Sequence, residues 1–160
     1  MFKRNVCVAL STLLFTLAFA SNASAADKVR GSFGIGVGQG TTVSYGLSAK
    51  LYMGESFALQ PVVGLGNDWI GVSVDALWEM PALVNLGFME IAWSIGLGPG
   101  VGIGDNLAVG IAGVAGLEFN FSVIPGLPFD LVAEYRPSVF VLPGVDLDLV
   151  DFSGHLRIYF

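Results

Sequence analysis

The feature that most restricts this chain is a two-residue rhythm of apolar and polar side chains that returns segment after segment. Residues 42–53, TVSYGLSAKLYM, place Val43, Tyr45, Leu47, Ala49, Leu51 and Met53 on one side. Thr42, Ser44, Gly46, Ser48, Lys50 and Tyr52 lie on the other. Residues 69–80, WIGVSVDALWEM, set Ile70, Val72, Val74, Ala76, Trp78 and Met80 against Gly71, Ser73, Asp75, Leu77 and Glu79. Successive side chains of a strand point to opposite faces, so this period specifies two-faced strands rather than helices.

Eight such segments are predicted, at 29–38, 42–53, 56–65, 69–80, 86–97, 107–119, 129–140 and 149–160. The breaks read GQGT, GE, GND, PALVN, GPGVGIGDN, NFSVIPGLP and LPGVDLD, which is turn chemistry. A strand crosses a bilayer in about 9–11 residues, and these segments have that reach. No apolar run after the N-terminal region approaches the ~18 residues of a membrane helix; the longest, Leu107–Leu117, is glycine-rich and bounded by Asp105-Asn106 and Glu118.

Composition then selects the solvent. The chain is 54% hydrophobic and 12% charged, against about 25% charged for ordinary soluble domains. Segments this apolar call for lipid on one face. In lipid an open sheet edge leaves backbone groups unpaired, so the strands must close. The expected fold is all-β: a transmembrane, antiparallel, up-and-down β-barrel of eight strands, the narrow kind whose interior side chains can fill. The final segment, FSGHLRIYF, should pair with the first, its face of Phe152, Leu156, Ile158 and Phe160 turned to lipid.

The N-terminus reads as a secretory signal peptide over residues 1–25: Lys3 and Arg4, an uncharged apolar stretch from Val6 to Ala20, then Ala23-Ser24-Ala25. Cys7 lies within the apolar stretch, so no lipoprotein site is expected. Residues 26–160 form the expected barrel domain. Removing the leader takes two of the seven basic residues and leaves 13 acidic ones, a net charge of about −8. That balance excludes nucleic acid as a partner. No cysteine remains for disulfides.

With the apolar face outward, the other register faces the lumen. Arg30, Lys50, Asp75, Glu79, Glu90, Glu118, Asp130, Glu134, Arg136, Asp151, His155 and Arg157 are expected there as a polar network. A Lys or Arg on the lipid side at the midplane costs about 2–4 kcal/mol, so the clustering of charge on one register supports the assignment. The signs are mixed, which favours paired side chains over a selective pore. Small residues, Ser32, Gly34, Gly36 and Gly38 on the first strand and Ala108, Gly110, Ala112 and Gly116 on the sixth, leave room for long side chains opposite. We therefore expect a filled lumen.

No catalytic, cofactor or metal site is expected. The glycines of GIGVG at 34–38 and GLGPGVGIG at 96–104 precede no helix, as a phosphate loop requires. Asp151, Ser153 and His155 share a strand face but stand about 6–7 Å apart along it, too far for a nucleophile and its base. One histidine and, beyond the leader, no cysteine give too few donors for a metal centre. Trp69, Trp78, Trp93, Tyr45 and Tyr135 are expected as belt or lipid-facing aromatics. The loops are short for an adhesive footprint, and the turn at 120–128 has no assigned role.

The stretch from Gly116 to Phe160 resembles the C-terminal half of small OmpA-like barrels of spirochaetes and other diderm bacteria, a family of unknown function. The pieces are GLEFNF, IPGLPFDLVAEYRPS and FSGHLRIYF. The alternating close on Phe160 also resembles the signal that the barrel-assembly machinery recognises. The resemblance implies an eight-stranded protein of the cell outer membrane, without established activity. Its partners would be outer-membrane lipid, lipopolysaccharide and, during insertion, that machinery; the chain would be a monomer. Unlike OmpA, no peptidoglycan-binding segment follows Phe160, so no cell-wall anchor of that type is expected. Four roles remain open: envelope integrity without chemistry, a narrow low-conductance pore, surface binding through the loops, and lipid A modification.

Overall fold

A computed structural model describes residues 33–40, 45–66, 68–121 and 128–160. The leader at 1–25, Ser32, Arg30 and residues 122–127 of the expected turn lie outside the described residues. Among the described residues there are eleven strands: β1 Phe33–Gly40, β2 Tyr45–Tyr52, β3 Phe57–Leu65, β4 Ile70–Glu79, β5 Val84–Asn85, β6 Met89–Ile103, β7 Leu107–Phe121, β8 Phe129–Tyr135, β9 Ser138–Leu142, β10 Asp146–Asp148 and β11 Phe152–Tyr159.

Antiparallel pairing runs β1–β2–β3–β4–β6–β7–β8–β11 and returns to β1, closing an eight-stranded barrel. At the seam Gly34 faces Tyr159 and Gly38 faces His155, and the Phe160 N–H donates to the Phe33 carbonyl at 2.9 Å. The last strand does close on the first.

Three segments depart from the sequence expectation. The glycines at 98, 100 and 102 were read as a turn, yet β6 runs on to Ile103 and pairs with β7 throughout, from Gly98–Ala112 to Ile103–Leu107. Spaced by two, those glycines are one face of a strand. Pro99 lacks an N–H, and the β4–β6 ladder skips there, between Ser73–Gly100 and Ala76–Leu97. The seventh strand is split: β8 and then β9 pair along β7, with the break at Arg136-Pro137. There the Arg136 N–H donates to the Asp151 carbonyl and the Pro137 carbonyl accepts from the Gly113 N–H, both at 2.8 Å. The expected periplasmic turn at 120–128 begins later, because Asn120 and Phe121 belong to β7.

Burial follows the alternation. Outward positions carry Ile35, Val37, Leu47, Val72, Val74, Leu97, Leu131 and Leu156, all substantially exposed. Phe152, Ile158 and Phe160 are exposed as well. Inward positions carry the buried charges. The apolar core is small: Ala58, Leu77 and Val114, with Tyr52 against them.

Candidate functional site

The barrel interior divides into two halves. The half nearer the described chain ends, 33 and 160, is filled by a continuous polar network. Lys50, from β2, lies between Glu79 of β4, at 2.7 Å, and Glu118 of β7, with its ammonium 5.2 Å from the Tyr52 ring centre. Arg157 of β11 donates to Gln60 Oε1 at 2.6 Å and reaches Asp130 Oδ1 at 3.4 Å. The Tyr159 hydroxyl donates to the other Asp130 oxygen at 2.6 Å. Lys50, Arg157, Asp75, Glu118 and Asp130 are fully buried. A buried charge is tolerated only with partners of this kind.

Gln60 joins the two halves. Its amide donates to Asp75 Oδ2 at 3.1 Å and to Glu134 Oε1 at 2.8 Å. Above it Arg136 donates from Nη1 to Asp75 Oδ2 and Glu134 Oε2, and from Nη2 to Asp75 Oδ1 and, at 3.3 Å, to Ser73 Oγ. Ser153 Oγ and His155 Nε2 meet the same Glu134 oxygen at 3.3 and 3.1 Å. Ser153 and His155 therefore converge on a carboxylate that also serves Arg136. Glu90 lies half-buried on the inward register of β6, and Asp151 is half-buried before β11.

The expectation of a filled lumen holds for this half only. Beyond Arg136 lies a cavity of about 360 Å³. Its walls are Gly46, Gly64, Gly71, Gly100, Gly102 and Gly110, with Ala108, Ala112 and Ser138; Arg136 and His155 also line it. The physical reason is symmetry of size. Where glycine faces a long side chain no space is left: a Cβ on Gly34 would stand 2.6 Å from the Tyr159 ring, and one on Gly98 1.9 Å from Asp75 Oδ1. Toward the other end glycine faces glycine or alanine, so space remains.

Trp69 also departs from expectation. It was read as a belt residue, but its indole packs inside the mouth. A Cβ on Gly66 or Gly71 would meet the ring at 2.2 or 2.1 Å, and the ring lines the cavity. It occupies the inward register that Gly71, Ser73 and Asp75 continue. Trp93, on the outward register, is 7% exposed where residues 80–85 run beside β6. Trp78 and Tyr45 are exposed outside, and Tyr135 is half-buried against Phe152.

Gln60, Trp69 and Tyr159 join the interior beyond the residues named for it from the sequence. Gln60 carried a signal: it is the polar residue on the inward register of β3, between Ala58 and Val62. Trp69 carried one too: directly before β4, it continues the odd-numbered inward register of that strand. No group of three or more potential metal-ligating side chains occurs among the described residues.

The chain matches no protein-family model, no curated protein and no solved structure. These comparisons therefore lend no support to the resemblance of residues 116–160 to OmpA-like barrels.

Proposed function

We propose that this chain is an integral outer-membrane β-barrel with a structural role in the cell envelope, its lumen closed to through-passage and without a catalytic centre. The observation that carries this reading is the inverted distribution of polarity. Arg157 and Lys50 are the largest fully buried side chains. On the eight barrel strands no outward position among the described residues carries a charge. Apolar surface this continuous is the mark of a membrane or interaction surface.

Aromatic pairs add support. Phe57–Trp78 and Phe121–Phe129 lie toward the end that holds Phe33 and Phe160, with ring centres 5.7 and 4.8 Å apart. Tyr135–Phe152 lies toward the mouth, at 5.3 Å. Aromatic girdles at both interfaces characterise barrels in lipid. In this reading residues 1–25 direct export, Phe152, Leu156, Ile158 and Phe160 form the assembly signal, and lipopolysaccharide surrounds the outer rim.

The test is expression with the leader, followed by membrane fractionation, electrophoresis with and without boiling, and planar-bilayer recording. The expected result is outer-membrane location, a heat-dependent mobility shift and no current. Soluble periplasmic protein would overturn the membrane reading. Steady or gated current would replace the closed lumen with a narrow pore. A lipid A mass change that depends on His155 would replace the structural role with an enzyme.

A further inference from the structure

We propose that the cavity at the mouth of the barrel binds a small organic ammonium ion, a primary amine carried on an apolar body. At about 360 Å³ the cavity falls within the ~300–1,000 Å³ of small-molecule sites. Its glycine and alanine walls offer apolar surface, and the Trp69 ring on the wall offers a π-face that attracts cations.

The charge around it is predominantly negative. Asp68, Asp105, Asp148 and Asp151 line the mouth, and Arg136 is the single cation among the described lining residues. Arg136 is already held by two carboxylates, Asp75 and Glu134. A cleft lined by one sign concentrates the opposite ion. An anionic ligand would meet four aspartates on entry and a guanidinium that is already paired.

A second observation, independent of the aspartates, specifies a donor. The His155 side chain is 3% exposed and lines the cavity. Its Nε2 meets Glu134, whose carboxylate only accepts, so Nε2 carries the proton. In the neutral ring this tautomer leaves Nδ1 as an acceptor lone pair. It lies on the side of Gly38, also a lining residue, where an added Cβ would stand 2.5 Å away. Nδ1 has no hydrogen-bond partner among the described residues. Buried acceptors without a donor are rare in folded proteins. An ammonium N–H supplies that donor, while a neutral hydrocarbon or a carboxylate does not. The inference rests on the geometry of the mouth and is independent of the solvent outside the barrel.

The test is isothermal calorimetry on the refolded barrel, its closure checked by the mobility shift on boiling. The probes are hexylamine, hexanol and hexanoate in one fixed micelle preparation. Hexylamine should saturate a single site, with hexanol and hexanoate at least about tenfold weaker, since hexanol keeps a hydroxyl donor but lacks the positive charge, and hexanoate lacks the donor and is repelled by the aspartates. Ala112→Leu, which extends a wall residue into the space, should abolish the hexylamine heat and keep the mobility shift. If that variant does not fold, Gly102→Leu replaces it; a Cβ there would have only ordinary contacts, 3.5 Å from Trp69 and 3.7 Å from Ala108. Asp105→Asn should weaken hexylamine by roughly threefold and leave hexanol unchanged. Equal binding of hexanol or hexanoate, undiminished binding by the filled variant, or no saturable heat overturns the proposal.

Discussion

Arg136 holds Asp75 at both ends of its guanidinium, with Nη1 2.7 Å from Oδ2 and Nη2 2.9 Å from Oδ1. The residues are 61 apart in sequence and meet because Arg136 continues the inward register of Asp130 and Glu134. This fork forms the floor of the cavity and the top of the polar network. Arg136→Ala removes the cation shared by Asp75 and Glu134. Truncating one partner of a buried pair costs about 3–5 kcal/mol; the 11% exposure of Arg136 places it at the lower end. Urea unfolding of the refolded barrel should show a lower midpoint. The triple variant Arg136→Met, Asp75→Asn, Glu134→Gln should recover most of the loss, and no recovery would mean that the guanidinium acts by packing.

Lys50 is sealed more completely, at 0% side-chain exposure, between Glu79 and Glu118. Lys50→Met should therefore destabilise by more than Arg136→Ala, at the upper end of about 3–5 kcal/mol. Adding Glu79→Gln and Glu118→Gln should restore part of it. The same urea titration, run as a cycle of single and combined variants, separates the pair interaction from the loss of the ammonium alone.

The seam depends on glycine at one point in particular. A Cβ on Gly36 would fall 1.9 Å from the Leu156 carbonyl oxygen and 2.7 Å from the Arg157 Cα. Backbone cannot yield there without opening the β1–β11 pairing. Gly36→Ala should sharply reduce the folded yield and the mobility shift on boiling. Gly113→Ala, with its nearest atom at 3.7 Å, should stay within about 0.5 kcal/mol of the parent. Equal behaviour of the two would place the seam elsewhere.

Val74 stands 45% exposed on the outer face of β4. If lipid covers that face, Val74→Arg should cost about 2–4 kcal/mol in folding into vesicles. If water covers it, the change should stay within about 0.5 kcal/mol. Reversible unfolding from lipid vesicles distinguishes the two, and the second outcome removes the membrane from the account.

Much of this was legible because a barrel interior is written in a single register. Lys50, Asp75, Glu118, Glu134 and Arg157 lie on inward positions that counting by two identifies, and pairing then follows from the cost of isolating any of them. Gln60 carries no charge to set it apart in the sequence, although its register marks it equally well. Trp69 was misplaced because tryptophan beside a turn has two good environments, a lipid interface and a gap between glycines. Composition does not choose between them.

Alternation by itself determined that the chain makes strands, that they close, and which residues face in. These are local consequences of backbone geometry and of the need to pair every N–H and C=O. What lies across the lumen from each glycine was decided only by the tertiary structure. Stagger between strands brings Gly34 opposite Tyr159 but leaves Gly102, whose nearest contact to an added Cβ is at 3.5 Å, beside open space. Whether a small residue makes room or makes a cavity depends on the size of its neighbour in space, and that neighbour lies tens of residues away along the chain.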